Sequence, residues 1–188
     1  MCKGKQVWTD VSDDSVPEVI GGRYETVRLI GRGGMGSVWL AKDTLLGREV
    51  AVKHIASLPG ESELETERAL REARSTAALN HPNVIALYDA IEHDGALWLV
   101  MEYVAGPTLS AWVRENGPMD PDSVAEVGAR LASGLTAAHR AGVVHRDIKP
   151  ANVFMADDGE PKMGDFGTAR RATEEQVTMT GVVTGTPS

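Results

Sequence analysis

Cysteine is nearly absent. The one thiol, Cys2, has no partner for a disulfide within the chain. That excludes a cystine-stapled secreted module and fits a reducing, cytoplasmic setting. Long apolar runs are absent as well. No stretch reaches the roughly 18 residues of a membrane span, and Met1-Cys2-Lys3-Gly4-Lys5 leads into polar residues, not the apolar core of a signal peptide. Positive charge is scarce: 19 Lys and Arg against 27 Asp and Glu give a net charge of -8. This disfavours a nucleic-acid binder, whose affinity rests on a basic face that displaces counterions. A phosphate ligand stays open, because a few placed cations and backbone N–H groups suffice for it. What is present is an ordinary globular balance, 42% hydrophobic and 24% charged. It can fill one large domain or two small lobes.

Residues 1–22 show no clear period and read as a loose lead-in. Strands are expected at 24–30, at 37–42 with Val38 and Leu40 on one face, and at 49–55, the last two separated by the turn Leu46-Gly47-Arg48. Residues 62–79 are rich in Glu, Ala, Arg and Leu and read as a helix, with Leu70, Ala73 and Ala77 at helical spacing. Asn80-His81-Pro82-Asn83 stops it. Strands follow at 84–90 and 96–103 around His93-Asp94-Gly95. Beyond Gly106-Pro107 helices take over, a short one at 109–115 and a longer one at 121–141. The longer one has Asp120 as N-cap, Pro121 at its first position and Gly142 just past its end. Val124, Val127, Leu131, Leu135 and Ala138 give it an apolar face. Short strands at 153–155 and 162–163 flank Asp157-Asp158-Gly159, and the Thr- and Gly-rich stretch after Arg171 reads as a loop.

Gly31-Arg32-Gly33-Gly34-Met35-Gly36-Ser37-Val38 fits G-x-G-x-x-G-x-V. Glycines let a backbone approach phosphates and take conformations closed to other residues. Alone the pattern is weak, since a glycine-rich hairpin turn would look the same. In a dinucleotide-binding fold it should open a helix; here a strand follows, the arrangement of a flap over a nucleotide. Val50-Ala51-Val52-Lys53 lies on the next strand. Period two puts Ala51 and Lys53 on one face, a small side chain beside a flat base and an ammonium within reach of phosphate. Glu72 is the candidate carboxylate for Lys53, although beside Glu65, Glu67 and Arg71 it also reads as one more solvated charge.

His145-Arg146-Asp147-Ile148-Lys149-Pro150-Ala151-Asn152 is followed by Asp165-Phe166-Gly167. Phosphoryl transfer is mostly positioning and charge neutralisation. It asks for a carboxylate to orient a hydroxyl and accept its proton, which suits Asp147. It also asks for hard oxygen ligands for Mg²⁺, which suits Asn152 and Asp165. Lys149 can offset charge on the transferring group. Singly, each is an Asp in a turn or an Asn at a strand end; in this order, downstream of the glycines and Lys53, the joint pattern argues against coincidence.

From about Tyr24 to Ser188 these motifs resemble the Hanks-type serine/threonine protein kinases, the bacterial members above all. The resemblance implies an α+β, two-lobe fold: a five-stranded antiparallel small lobe with one helix at 23–103, and an incomplete, mainly helical large lobe at 104–188. It implies ATP with Mg²⁺, or Mn²⁺ in its place, and Ser/Thr-bearing protein substrates, this chain included. The nucleotide falls to Ile30, Gly31, Gly33, Gly34, Gly36, Val38, Ala51, Lys53, Met101 as gatekeeper, and Glu102 and Val104 of the hinge. Lys53 pairs with Glu72, Asp147 is the catalytic base, Lys149 contacts phosphate, and Asn152 and Asp165 hold the metal. Lys149 points to Ser/Thr rather than Tyr acceptors. Arg146 implies control by activation-loop phosphorylation, with Thr178 and Thr180 as the acceptors, and Gly185-Thr186-Pro187 resembles the start of the substrate-docking loop.

The sequence stops at Ser188, inside the activation segment of that family, before the helices that would cover the 121–141 helix. An exposed apolar face and self-association are expected. An inactive nucleotide-binding or regulatory module is the competing reading, and a dinucleotide-dependent oxidoreductase is disfavoured by the strand after the glycine loop.

Overall fold

The computed structural model describes residues 17–33, 36–55, 73 and 77–166. Strands β1 (Val19–Ile20), β2 (Tyr24–Gly33), β3 (Gly36–Asp43), β4 (Arg48–Ile55), β5 (Leu87–His93) and β6 (Ala96–Glu102) form one antiparallel sheet in the order β1-β2-β3-β4-β6-β5. Helices α1 (Leu109–Asn116) and α2 (Pro121–Arg140) follow, then a 3₁₀ turn at Pro150–Asn152 and a hairpin of β7 (Val153–Met155) and β8 (Pro161–Met163).

Two expectations are corrected. The sheet has six strands, because Val19–Ile20, inside the supposed lead-in, pairs with Tyr24 and Glu25. Two residues are too few to show a period, yet Ile20 is fully buried, and Gly21 and Gly22 turn the chain at φ +58° and +66°, where a side chain is strained. The strand expected at 84–90 begins at Leu87 instead. Val84 bridges Met163 of β8 in parallel, and Ile85 N–H donates to the Met163 carbonyl at 2.9 Å. Val84 and Ile85 therefore join the hairpin, while the Ala86 carbonyl accepts the Glu102 N–H of β6 at 2.8 Å.

β4 is buried on both faces. Val50 and Val52 join Ile20, Tyr24, Ala41, Trp98 and Val100 in the core of the sheet. Ala51 and Lys53 take the opposite face, as the period requires, with Leu40 and Val38 beside them in register on β3. At the end of β3, Asp43 is fully buried. Arg23 grips it with two hydrogen bonds of 2.8 and 2.7 Å, and the Leu45 and Leu46 N–H groups donate to it at 3.2 Å. This fixes the β3–β4 turn, where Gly47 has φ +67°.

α2 starts as its sequence dictates: Asp120 Oδ1 accepts from Ser123 N–H at 3.0 Å. It ends with Gly142 at φ +75° and Val143 N–H on the Ala138 carbonyl at 2.9 Å, a Schellman-type closure. Its C-terminal half packs Leu131, Leu135 and Ala138 into a second core with Leu79, Val84, Val143, Met163 and Phe166. Its N-terminal half lines an open apolar groove with α1, where Val113 and Val124 stay 38% and 53% exposed.

Candidate active site

The glycine run lies on two paired antiparallel strands: Gly31 pairs with Val38 and Gly33 with Gly36 across β2 and β3. Residues 34 and 35 lie outside the described residues, so Gly34 is not placed. A strand, not a helix, leads away from the glycines, which removes the dinucleotide-binding alternative. Gly36 is required by the protein itself. Its φ is +119°, and a Cβ there would overlap the His54 carbonyl oxygen of β4. Gly31 has no such constraint: a Cβ would meet only Val38, at an ordinary 3.9 Å.

Lys53 follows on β4, only 3% exposed. Burying an ammonium demands a partner, and Asp165 supplies one: Nζ to Oδ1 is 2.6 Å. Glu72, the partner expected from sequence, lies outside the described residues. Gly167, Thr178, Thr180 and 185–187 do as well. Met101 pairs with Ala51 and Glu102 with Val50 in the β4–β6 register, so the chain leaves the sheet for Val104 directly beside the Ala51 position. Ile30 is half-buried on β2.

The catalytic loop runs from the end of α2 to the 3₁₀ turn. Asp147 Oδ2 lies 2.7 Å from the Lys149 ammonium and accepts from Asn152 Nδ2 at 3.0 Å. The same Asn152 amide also donates to the Asp147 carbonyl at 2.8 Å. The Lys149 hydrogen bond above all holds the Asp147 carboxyl below the usual carboxylate value; burial opposes it, and the Asn152 hydrogen bond reinforces it. Asp147 is thus ionised and aimed. With Nδ2 committed to Asp147, Asn152 has Oδ1 left for a cation.

His145 ties this loop to the Asp165 strand. It is 1% exposed. Asp147 N–H donates to its Nδ1 at 3.3 Å, so Nε2 carries the proton and donates to the Gly164 carbonyl at 2.8 Å. Its ring packs against Phe166 at 4.6 Å between centroids. Gly164 N–H in turn donates to the Asn152 carbonyl at 2.9 Å. Both backbone groups of the residue before Asp165 are therefore held by the catalytic loop. A Cβ on Gly164 would press on Ile85 and Phe154 at 3.0 and 3.1 Å. Arg146 and Asp165 adopt φ +66° and +58°, in the left-handed region that non-glycine residues seldom enter, Asp more readily than Arg.

Sequence reasoning named His145 only as part of the motif and missed Lys162, Gly106 and Gly164. Lys162 on β8 pairs with Glu102 at 2.8 Å. Gly106 lies so close to β7 that a Cβ would overlap the Met155 carbonyl oxygen. The Gly106-Pro107 break was visible, but not that it rests on a strand nearly 50 residues later.

Among the described residues no group of three or more His, Cys, Asp or Glu is gathered. A cation held by Asn152 and Asp165 would complete its shell with water and phosphate oxygens, which is how Mg²⁺ is commonly bound. None of the described helices is long and apolar enough to cross a membrane.

The protein kinase domain profile matches residues 24–187. The chain is 40% identical over 166 residues to the serine/threonine-protein kinase PrkC of Bacillus subtilis, covering 88% of this chain and 26% of that protein. It is 38% identical over 165 residues to the serine/threonine-protein kinase PknE of Mycobacterium tuberculosis, covering 88% and 29%. The solved PknI kinase domain of Mycobacterium tuberculosis superposes with a TM-score of 0.72 at 30% identity, over 80% of this chain and 62% of that one. The chain thus spans about a quarter of the length of these curated relatives. A profile that takes in the glycine hairpin, Lys53, the catalytic loop and Asp165 together puts the chain in the protein kinase domain family.

Proposed function

We propose that this chain carries the ATP-binding and phosphoryl-transfer residues of a serine/threonine protein kinase. The observation that carries the reading is the arrangement of Asp147: ionised, oriented by Lys149 and Asn152, and tied through His145 and Gly164 to Asp165. Ala51, the gatekeeper Met101 and the hinge residues Glu102 and Val104 seat the adenine, with Ile30 and Val38 beside it. The glycine hairpin covers the phosphates and Lys53 draws them in. Asp147 orients the acceptor hydroxyl and takes its proton, while Lys149 faces the developing charge. Mg²⁺, or Mn²⁺, on Asn152 and Asp165 would neutralise phosphate oxygens. Glu72 as the second partner of Lys53, and Thr178 and Thr180 as phosphorylation sites, belong to the same proposal. PrkC and PknE, both called serine/threonine-protein kinases, support the Ser/Thr choice.

The test is transfer of label from γ-labelled Mg-ATP to the chain or to a general Ser/Thr substrate, against Asp147→Ala. Equal signals would reject catalysis by Asp147, and ATP binding without transfer would leave a nucleotide-binding module. Self-association through the groove of Val113 and Val124 is proposed too. A monomer at every concentration in sedimentation would reject it.

A further inference from the structure

The Glu102 carboxylate lies between two pieces of chain from different halves of the site. Oε1 is 2.8 Å from the Lys162 ammonium on β8. Oε2 accepts the Ala86 N–H at 3.3 Å, and the Glu102 N–H donates to the Ala86 carbonyl at 2.8 Å. The paired side chains are only 19% and 23% exposed, so solvent and salt screen them less than an open surface pair. The backbone closes the ring. Ile85 N–H donates to Met163 O, and Met163 N–H to Asn83 O, both at 2.9 Å. Segment 83–86 is thus bound to Glu102 on one side and to β8 on the other.

We infer that the Glu102 carboxylate is a positioning residue for the nucleotide: it sets where the hinge backbone presents its hydrogen-bonding edge to adenine. The inference rests on the nucleotide-site reading above. Backbone donors and acceptors are the recognition groups at such an edge, and a side chain can act on them only by moving them. Residues 103–105 have no regular structure. They span from Glu102 to Gly106, whose close seat on Met155 fixes their far end. Their near end is fixed by β6 pairing and by the Glu102 carboxylate. Release of that carboxylate from Lys162 removes one restraint on the near end while leaving the sheet pairing intact.

The experiment titrates ADP without divalent metal, and separately Mg-ATP, into the full chain and into Glu102→Gln, Lys162→Met and the double variant, with melting temperature recorded for each. Glu102→Gln keeps an oxygen for the Ala86 N–H, which guards against loss of the fold. Each single change should weaken both nucleotides by about fivefold. The double variant should be no weaker than the worse single one, because both substitutions remove the same interaction. Equal nucleotide affinities in all four proteins, with only melting temperature lowered, would make the pair a structural strut and overturn the assignment. A loss confined to Mg-ATP would also overturn it, by placing the effect at the metal end. Failure of the wild-type chain to bind either nucleotide would instead bring down the nucleotide-site reading, and this inference with it.

Discussion

Asp147 shows how little freedom one carboxylate is left. One oxygen faces both Lys149 and Asn152, and its own N–H is committed to His145. Asp147→Asn preserves the shape but not the proton acceptor. It should lower phosphoryl transfer by about 10²- to 10⁴-fold with nucleotide affinity unchanged, checked by single-turnover transfer beside ATP titration. The pH dependence has a definite sign. The carboxyl is held below its ordinary value of 3.8, chiefly by Lys149. The ionised form that the proposed role requires therefore persists down to pH values under 3.8 and is lost only as pH falls through the depressed pKa. Lys149→Ala removes the main cause, so the acid limb of kcat/KM should move up in pH toward 3.8, whatever happens to the maximal rate. An acid limb that stays in place would show that Lys149 does not hold the charge of Asp147.

At the scale of elements, long alternating or capped segments were legible and junctions were not. β3, β4 and α2 carry strong local signals: the Val50/Val52 alternation, Asp120 before Pro121, Gly142 after the last turn. β1 was missed because Ile20 is buried in a core shared with residues of β2, β3, β4 and β6 rather than by any pattern of its own. Residues 84–86 were read as part of the β5 strand because apolar residues of a segment that bridges hairpin and sheet look like strand. Of the site, the motif residues were legible. The tie from His145 to Gly164, the Lys162–Glu102 pair and the seat of Gly106 depend on contacts that cross many residues and follow no period. Gly106 makes this testable. A Cβ would strike the Met155 carbonyl, and backbone does not yield easily, so Gly106→Ala should destabilise the chain by about 1–3 kcal/mol in urea unfolding. Gly47→Ala, in an open turn, should cost less and only through its left-handed φ. The Arg23–Asp43 corner gives a pH test of the sheet. Asp43 is pulled from 3.8 to about 2, first by the Arg23 hydrogen bond. Its contribution is complete above pH 3.8 and is lost as pH falls toward 2. Arg23→Met should remove that part of the acid sensitivity, read as a flatter dependence of melting temperature on pH in this window.

At the scale of the whole molecule, the two cores share no residue among those described. One lies inside the sheet and the other between α2, β8 and segment 79–84. Between them run segment 83–86, the Glu102–Lys162 pair, the Lys53–Asp165 pair and the seat of Gly106. A nucleotide that meets Ala51 and Lys53 from the sheet and Asn152 and Asp165 from the other half binds fully only when both are in place. Its binding energy then favours the joined state of both halves. With free Mg-ATP at a hundred times its dissociation constant, the unfolding free energy should rise by about 2.7 kcal/mol. The two halves should also melt together. Trp39 and Trp98 report the sheet and Trp112 reports α1. Variants keeping one probe or the other should give the same urea midpoint with nucleotide bound, as one cooperative transition requires. Separate midpoints at saturating Mg-ATP would mean that the ligand is seated on one half alone, and that Asn152 and Asp165 take no part in holding it.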